Sequence, residues 1–193
     1  MKNFTVLVLV LISFIANAQE EVSVEKKLSG IQLGLFNASF QYEIKLDRKI
    51  TLLSEVGLSW VTSTKDFVDP NIEDEKVSVI APYVTLEPRW YHGIDRREKL
   101  GRSINHNSSN YVALSTSYYS TKTPIIHSGN FDIVSALYII PKYGIRRAFA
   151  KHFNYEFSGG IGYQYNVFSE AEGCNCDHVN TTIDLQARIG YNF

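Results

Sequence analysis

Three groups of residues in this 193-residue chain could do chemistry. The first is Cys174-Asn175-Cys176-Asp177-His178, where two thiols and an imidazole offer ligands suited to zinc or copper. These are the only two cysteines, and in an oxidising compartment such a pair ordinarily becomes a disulfide. Cys174 with Cys176 is therefore the candidate loop disulfide, closing a very small ring, and a metal site is its alternative. The second group is His127-Ser128 and the pair His152 and Glu156, each a base near a hydroxyl or a carboxylate. Nucleophilic catalysis needs a nucleophile beside a base, with donors aimed at the developing oxyanion. Neither pair has those companions at a recognisable spacing. No catalytic residue, cofactor site or metal ligand is expected, and His92, His106 and His178 read as solvated loop histidines.

The third group is larger and ordered by period rather than by motif. Glu43, Lys45, Glu55, Glu87, Arg89, Lys142, Arg146, Glu156, Asp184 and Arg188 all fall on one face of segments that alternate polar and apolar residues. Five acids stand against five bases. Side chains of that kind crowded into one interior must pair, because an unpaired buried charge is costly. The expected chemistry is an ion-pair network that fills a lumen.

The segments that would hold this network read as strands at about 29 to 36, 39 to 46, 50 to 62, 77 to 91, 109 to 120, 131 to 146, 153 to 167 and 181 to 193. Phe36-Asn37-Ala38-Ser39-Phe40 is either a tight turn or the middle of one long strand, and an even strand number favours the turn. The opposite face of the strands is apolar, for example Ile31, Leu33 and Leu35, then Val56, Leu58 and Trp60, then Ile183, Leu185 and Ala187. Pro82, Pro88 and Pro141 interrupt predicted strands, and a bulged or bent fourth strand is expected from the first two. Eight strands place 47 to 49, 92 to 108 and 147 to 152 at one end and 63 to 76, 121 to 130 and 168 to 180 at the other, with acids gathered in the first and last of these three. The 92 to 108 segment is long for a barrel turn.

Lys2, the apolar run Val6 to Ile15 and Ala16-Asn17-Ala18 have the form of a secretory signal peptide over residues 1–18, with cleavage before Gln19. The run is shorter than the roughly 20 residues a membrane helix needs. Residues 19–28 then form a short charged leader, expected to be mobile, and 29–193 a single barrel domain. Formal charge is −1, and losing Lys2 makes it −2, which suggests neither nucleic acid nor a highly basic surface protein. Tyr and Phe are abundant, as suits strands and membrane interfaces.

Ile189, Tyr191 and Phe193 place aromatic or apolar residues at alternate positions up to a terminal Phe. Together with the signal peptide, the eight alternating strands and the charged interior, this resembles the small outer-membrane β-barrel proteins related to the OmpA membrane domain and OmpX. The resemblance is architectural. It implies an all-β, eight-stranded antiparallel up-and-down transmembrane barrel in the outer membrane, inserted by the outer-membrane assembly machinery, with Ile189, Tyr191 and Phe193 as its assembly signal. The partners expected are outer-membrane lipid and that machinery, with no nucleic acid, and the protein is expected to be a monomer. A structural or surface-interaction role is the leading reading. A loop-borne adhesion or ligand-binding module, a small pore and a soluble lipocalin-like barrel are the alternatives, the last because its alternation is the same with the faces exchanged.

Overall fold

The computed structural model describes residues 22–64, 76–120, 126–127, 135–167 and 179–193. Eight strands close into an antiparallel barrel: β1 (Lys27–Gly34), β2 (Asn37–Asp47), β3 (Ile50–Thr64), β4 (Lys76–Trp90), β5 (Asn110–Tyr119), β7 (Ser135–Ala148), β8 (Phe153–Val167) and β9 (Val179–Asn192). Each pairs with its neighbour along the chain, and β1 meets β9 to close the ring. A two-residue strand, β6 (Ile126–His127), adds to β4 beyond the reach of β5. The first hairpin turns at Leu35-Phe36, so residues 29–46 are two strands, as even parity requires. We call the end where β1 begins and β9 finishes the base, and the opposite end the rim.

Alternation decides which way each side chain points, and the two faces differ as the sequence indicates. Leu33, Val56, Leu86, Phe157 and Leu185 are exposed on the outer wall, Leu185 at 81%. Gln41, Glu43, Glu87, Arg89, Arg146, Glu156 and Arg188 are buried inside. Where the ring is closed no sheet edge remains and the ladder hydrogen bonds are met within the chain, the condition for strands to stand in lipid.

The prolines act more locally than expected. Between β4 and β5 the ladder lapses at Glu87 and Pro88, yet Leu86 opposite Thr116 and Arg89 opposite Ala113 keep one register on both sides of the gap. Pro141 interrupts the β7–β8 ladder in the same way. A missing donor removes a rung without inserting a residue, so the predicted bulge in β4 does not form. The register shift in this part of the wall lies between Lys45 and Asp47, at the tight β2–β3 turn.

The base is closed by two segments for which the two-residue period gives no reading. Residues 91 to 109 carry helix α1 (Ile94–Lys99) and a 3-10 turn (Asn105–Asn107), and they lie across the opening. Val24, Tyr91, Ile94, Tyr111 and Ala113 form a small buried apolar cluster there, with Val22 and Ile104 against it. Residues 22–26 are therefore docked rather than part of a mobile leader, and β1 begins at Lys27. The Val24 amide donates to the Arg48 carbonyl, the Glu25 amide to Asn107 Oδ1 at 2.8 Å, and the His106 amide to Glu25 Oε1 at 2.6 Å. His106 and Asn107 both adopt positive φ, which turns the chain sharply enough to present these groups.

The rim is uneven. β1 reaches β9 only from Gly30 to Gly34, opposite Asn192 to Arg188. Among the described residues, the β1-side edge of β9 over 179–187 has no strand partner. β2 likewise leaves β3 above Ser59. The wall is low along the β1–β2 hairpin and tall elsewhere.

Candidate functional site

The lumen is the site, and every strand of the barrel contributes to it. Glu156 on β8 is its hub. Arg89 on β4 reaches Glu156 with both terminal nitrogens, at 2.9 and 3.1 Å, in a bidentate fork. Arg146 Nε donates to Glu156 Oε2 at 2.7 Å, and Arg188 Nη2 donates to Oε1. Arg89 also holds Glu87 at 2.7 Å and lies over the Tyr111 ring, 4.4 Å from its centroid.

From the hub the pairs run across the barrel to strands that are not neighbours in the sheet. Arg146 on β7 donates to Glu43 on β2 at 2.6 Å and to Gln41 Oε1 at 3.1 Å. Arg188 on β9 donates to Glu55 on β3 at 2.9 Å. Lys142 binds Asp184 at 2.6 Å and lies 3.7 Å from Glu87, completing the set toward the rim. Gln32 on β1 donates to Asn154 on β8 at 3.3 Å. These contacts tie opposite walls together and leave little free space. The polar cavity beside Glu55, Lys142 and Arg188 measures about 10 Å³, about the least that holds one water.

Nine of the ten charges read from the sequence meet in this network, and Lys45 does not. It sits near the base, only partly buried, and bonds Ser23 Oγ of the docked N-terminal segment. The β2–β3 register shift falls beside it, and the end of a strand lets a long amine leave the lumen. Five carboxylates then face four cations. Hydroxyls supply the remaining donors: Thr51 at 2.6 Å and Tyr91 at 2.8 Å to Glu43, and Tyr83 to Glu55. The sequence reading missed Tyr83, Tyr91 and Tyr111. The signal for the first two was present, since Tyr83 and Tyr91 share the odd positions of β4 with Thr85, Glu87 and Arg89.

The other candidates separate. Glu156 is taken up by three arginines, while His152 sits at the base with Nδ1 3.1 Å from the Asn192 carbonyl and its ring stacked on Tyr191. The two do not form a base and acid pair. His127 belongs to β6. Ser128, Cys174, Cys176, His178 and the signal-peptide residues lie outside the described residues. Ile189, Tyr191 and Phe193 point outward at the foot of β9, where the Phe193 amide donates to the Ser29 carbonyl and its ring stacks on Phe40 across the seam.

Toward the rim the lumen changes character. Tyr83, Tyr119 and Tyr138 form a ladder, Tyr83 on Tyr119 and Tyr119 edge-on to Tyr138, both at 5.1 Å between centroids. Thr85 and Ser117 bond each other at 2.8 Å. Neutral hydroxyls replace the charges of the lower half.

No protein-family model matches the chain, and no curated protein matches it. Among solved structures it is similar to the crystal structure of CarO of Acinetobacter baumannii, at 12% identity and a TM-score of 0.45, over 86% of this chain and 96% of that one.

Proposed function

We propose that the protein is a monomeric outer-membrane β-barrel with a plugged lumen and a structural or surface-interaction role, without a cofactor or a catalytic centre. The observation that carries this reading is the inverted polarity of the wall: leucines, phenylalanines and tryptophans outside, a paired cluster of arginines and glutamates within. A lipocalin-like barrel in water would present the reverse. Aromatic residues support the same placement, with Trp90, Tyr143, Phe153 and Tyr191 on the outer surface toward the base and Trp60 and Tyr165 higher on the wall. The base then faces the periplasm, and Ile189, Tyr191 and Phe193 serve as the signal read by the assembly machinery.

The plugged state has its own support. Eight strands enclose a width that side chains can fill, the cross-lumen pairs fill it, and α1 with residues 22–26 covers the base. Two measurements test the proposal. Unheated protein from the outer-membrane fraction should run faster than boiled protein on a denaturing gel. In planar bilayers the purified protein should show no steady channels; well-resolved conductance would overturn the plugged lumen, and recovery in the soluble periplasmic fraction would overturn the membrane placement.

A further inference from the structure

At the base, on the outside of the barrel, lie Arg97, Arg102 and Arg147, none of which makes an ion pair with a carboxylate among the described residues. Arg147 is the outward-facing residue near the foot of β7, opposite Tyr155 of β8. Its Nη2 donates to Asn110 Oδ1 at 2.5 Å and its Nη1 to the Arg146 carbonyl at 2.7 Å, so the side chain is held in place. Arg97 comes from α1 and is fastened through Nε and Nη2 to the Ser103 carbonyl, at 3.2 and 2.8 Å. Arg102 follows α1 and is exposed. The charged and titratable groups that act most on Arg97 are Arg102 and Tyr155, and foremost among those acting on Arg147 are Arg97, Tyr155, Tyr143 and Arg102. Burial first, and then the Arg102 charge, hold the Arg97 pKa below the usual arginine value.

What surrounds the cluster is apolar and aromatic. Tyr143 accepts a hydrogen bond from Asn110 Nδ2 at 2.7 Å, which joins the outer wall to the residue that holds Arg147. Phe149 is exposed and packs against Phe153 and Tyr155, at 5.8 and 6.2 Å between centroids. Elsewhere at the base charge is neutralised, as where Asp95 takes both Arg48 and Lys49. An arginine fork matches a phosphate with two parallel donors, and an aromatic girdle marks the level of lipid headgroups.

We infer that Arg97, Arg102 and Arg147 form a binding site for the phosphate of an anionic phospholipid in the inner leaflet, with its chains against Tyr143, Phe149 and Tyr155. The inference rests on the outer-membrane reading above. Lipid is the source of the phosphate because the cluster borders an apolar wall, where a free anion would gain only the polar half of the contact. The site would fix the depth at which the barrel rides in the membrane and keep the α1 segment against it.

The test uses the full-length barrel in detergent micelles, titrated with phosphatidylglycerol or phosphatidylcholine and read by native mass spectrometry. Wild type should retain phosphatidylglycerol more strongly than phosphatidylcholine, and Arg97→Gln/Arg147→Gln should lower that retention about tenfold or more. Lys99→Gln/Lys151→Gln removes the same charge from outside the cluster and should retain lipid like wild type. An equal loss in both double variants, or no preference for the anionic lipid in wild type, would sink the site. Full competition by inorganic phosphate in the absence of any effect of chain length would identify a free-anion site and overturn the lipid assignment. Gel mobility of unheated samples separates the two levels: a variant that keeps the fast form is folded, and a wild type without a fast form would refute the barrel reading instead.

Discussion

The lower and upper halves of the lumen solve the problem of a polar interior differently. Below, charge is concentrated and fully enclosed. Arg89, Arg146 and Arg188 converge on Glu156, the walls around them are complete, and the apolar cluster of Val24, Ile94 and Tyr111 keeps water from the base. Above, where the β1–β2 hairpin has ended, the interior is lined by hydroxyls and stacked tyrosines, and the last ion pair, Lys142 with Asp184, is the most exposed of the lumen pairs. Full ionic networks are confined to the part of the barrel where water cannot compete with them. Electrostatic attraction strengthens as the surroundings become drier, and so does the penalty for a missing partner.

That contrast can be broken most sharply at the hub. Glu156→Ala leaves three buried guanidiniums short of a carboxylate, and breaking even one buried pair typically costs about 3 to 5 kcal/mol. We expect the variant to lose the fast-migrating form under conditions in which wild type refolds, with a much lower urea midpoint. Arg89→Ala should follow closely, whereas Asp184→Asn near the rim should cost clearly less, since Asp184 is the more accessible partner and Lys142 keeps Glu87 at 3.7 Å. Equal losses at Glu156 and Asp184 would mean that the two halves do not differ.

Packing gives the next effect. A methyl group added at Gly144 would collide with the ring of Tyr111, which lies against the backbone there beneath the Arg89 guanidinium. Gly144→Ala should cost about 1 to 3 kcal/mol, the usual range for overpacking. Tyr111→Phe at the same place should be nearly neutral, because the Tyr111 hydroxyl has no hydrogen-bond partner among the described residues. Leu86→Ala on the outer wall should change the urea midpoint by only about 0.5 kcal/mol equivalent, as lipid or detergent fills the space.

The smallest effect concerns the docked segment at the base. Burial lowers the His106 pKa, with the Glu25 carboxylate opposing it. A histidine whose folded value lies below its unfolded value of about 6.5 favours the neutral form, so protonation as pH falls below that point costs stability. The protection factor of the Glu25 amide, corrected for intrinsic exchange, should therefore fall from pH 7 to pH 5. His106→Asn tolerates the positive φ and should remove the pH dependence.

Much of this architecture is visible in the sequence because a period of two reports directly on a wall with two unlike faces. The eight strands and the composition of the lumen follow from it, and a turn within residues 29–46 follows from even parity, although it falls at Leu35-Phe36 rather than at the expected Asn37-Ala38. Lys45 is misread because parity assigns a face but not a height, and a lysine near the end of a strand can reach out of the barrel. The base is illegible for a different reason. Val24, Tyr91, Ile94 and Ile104 are scattered apolar residues among charges, and only the closed fold brings them together. The prolines of β4 and β7 look disruptive in one dimension, yet each strand has a second neighbour that holds the register.

The short first hairpin bears on how the ring is fastened. β8 and β9 are laced along nearly their whole length, from Phe153 opposite Tyr191 to Tyr165 opposite Val179, whereas β1 grips β9 only over Gly30 to Gly34. Phe193 adds one clasp below, donating to Ser29 and stacking on Phe40. The ring is thus a belt with a narrow buckle, and a load that opens it should part the seam between first and last strands before any other.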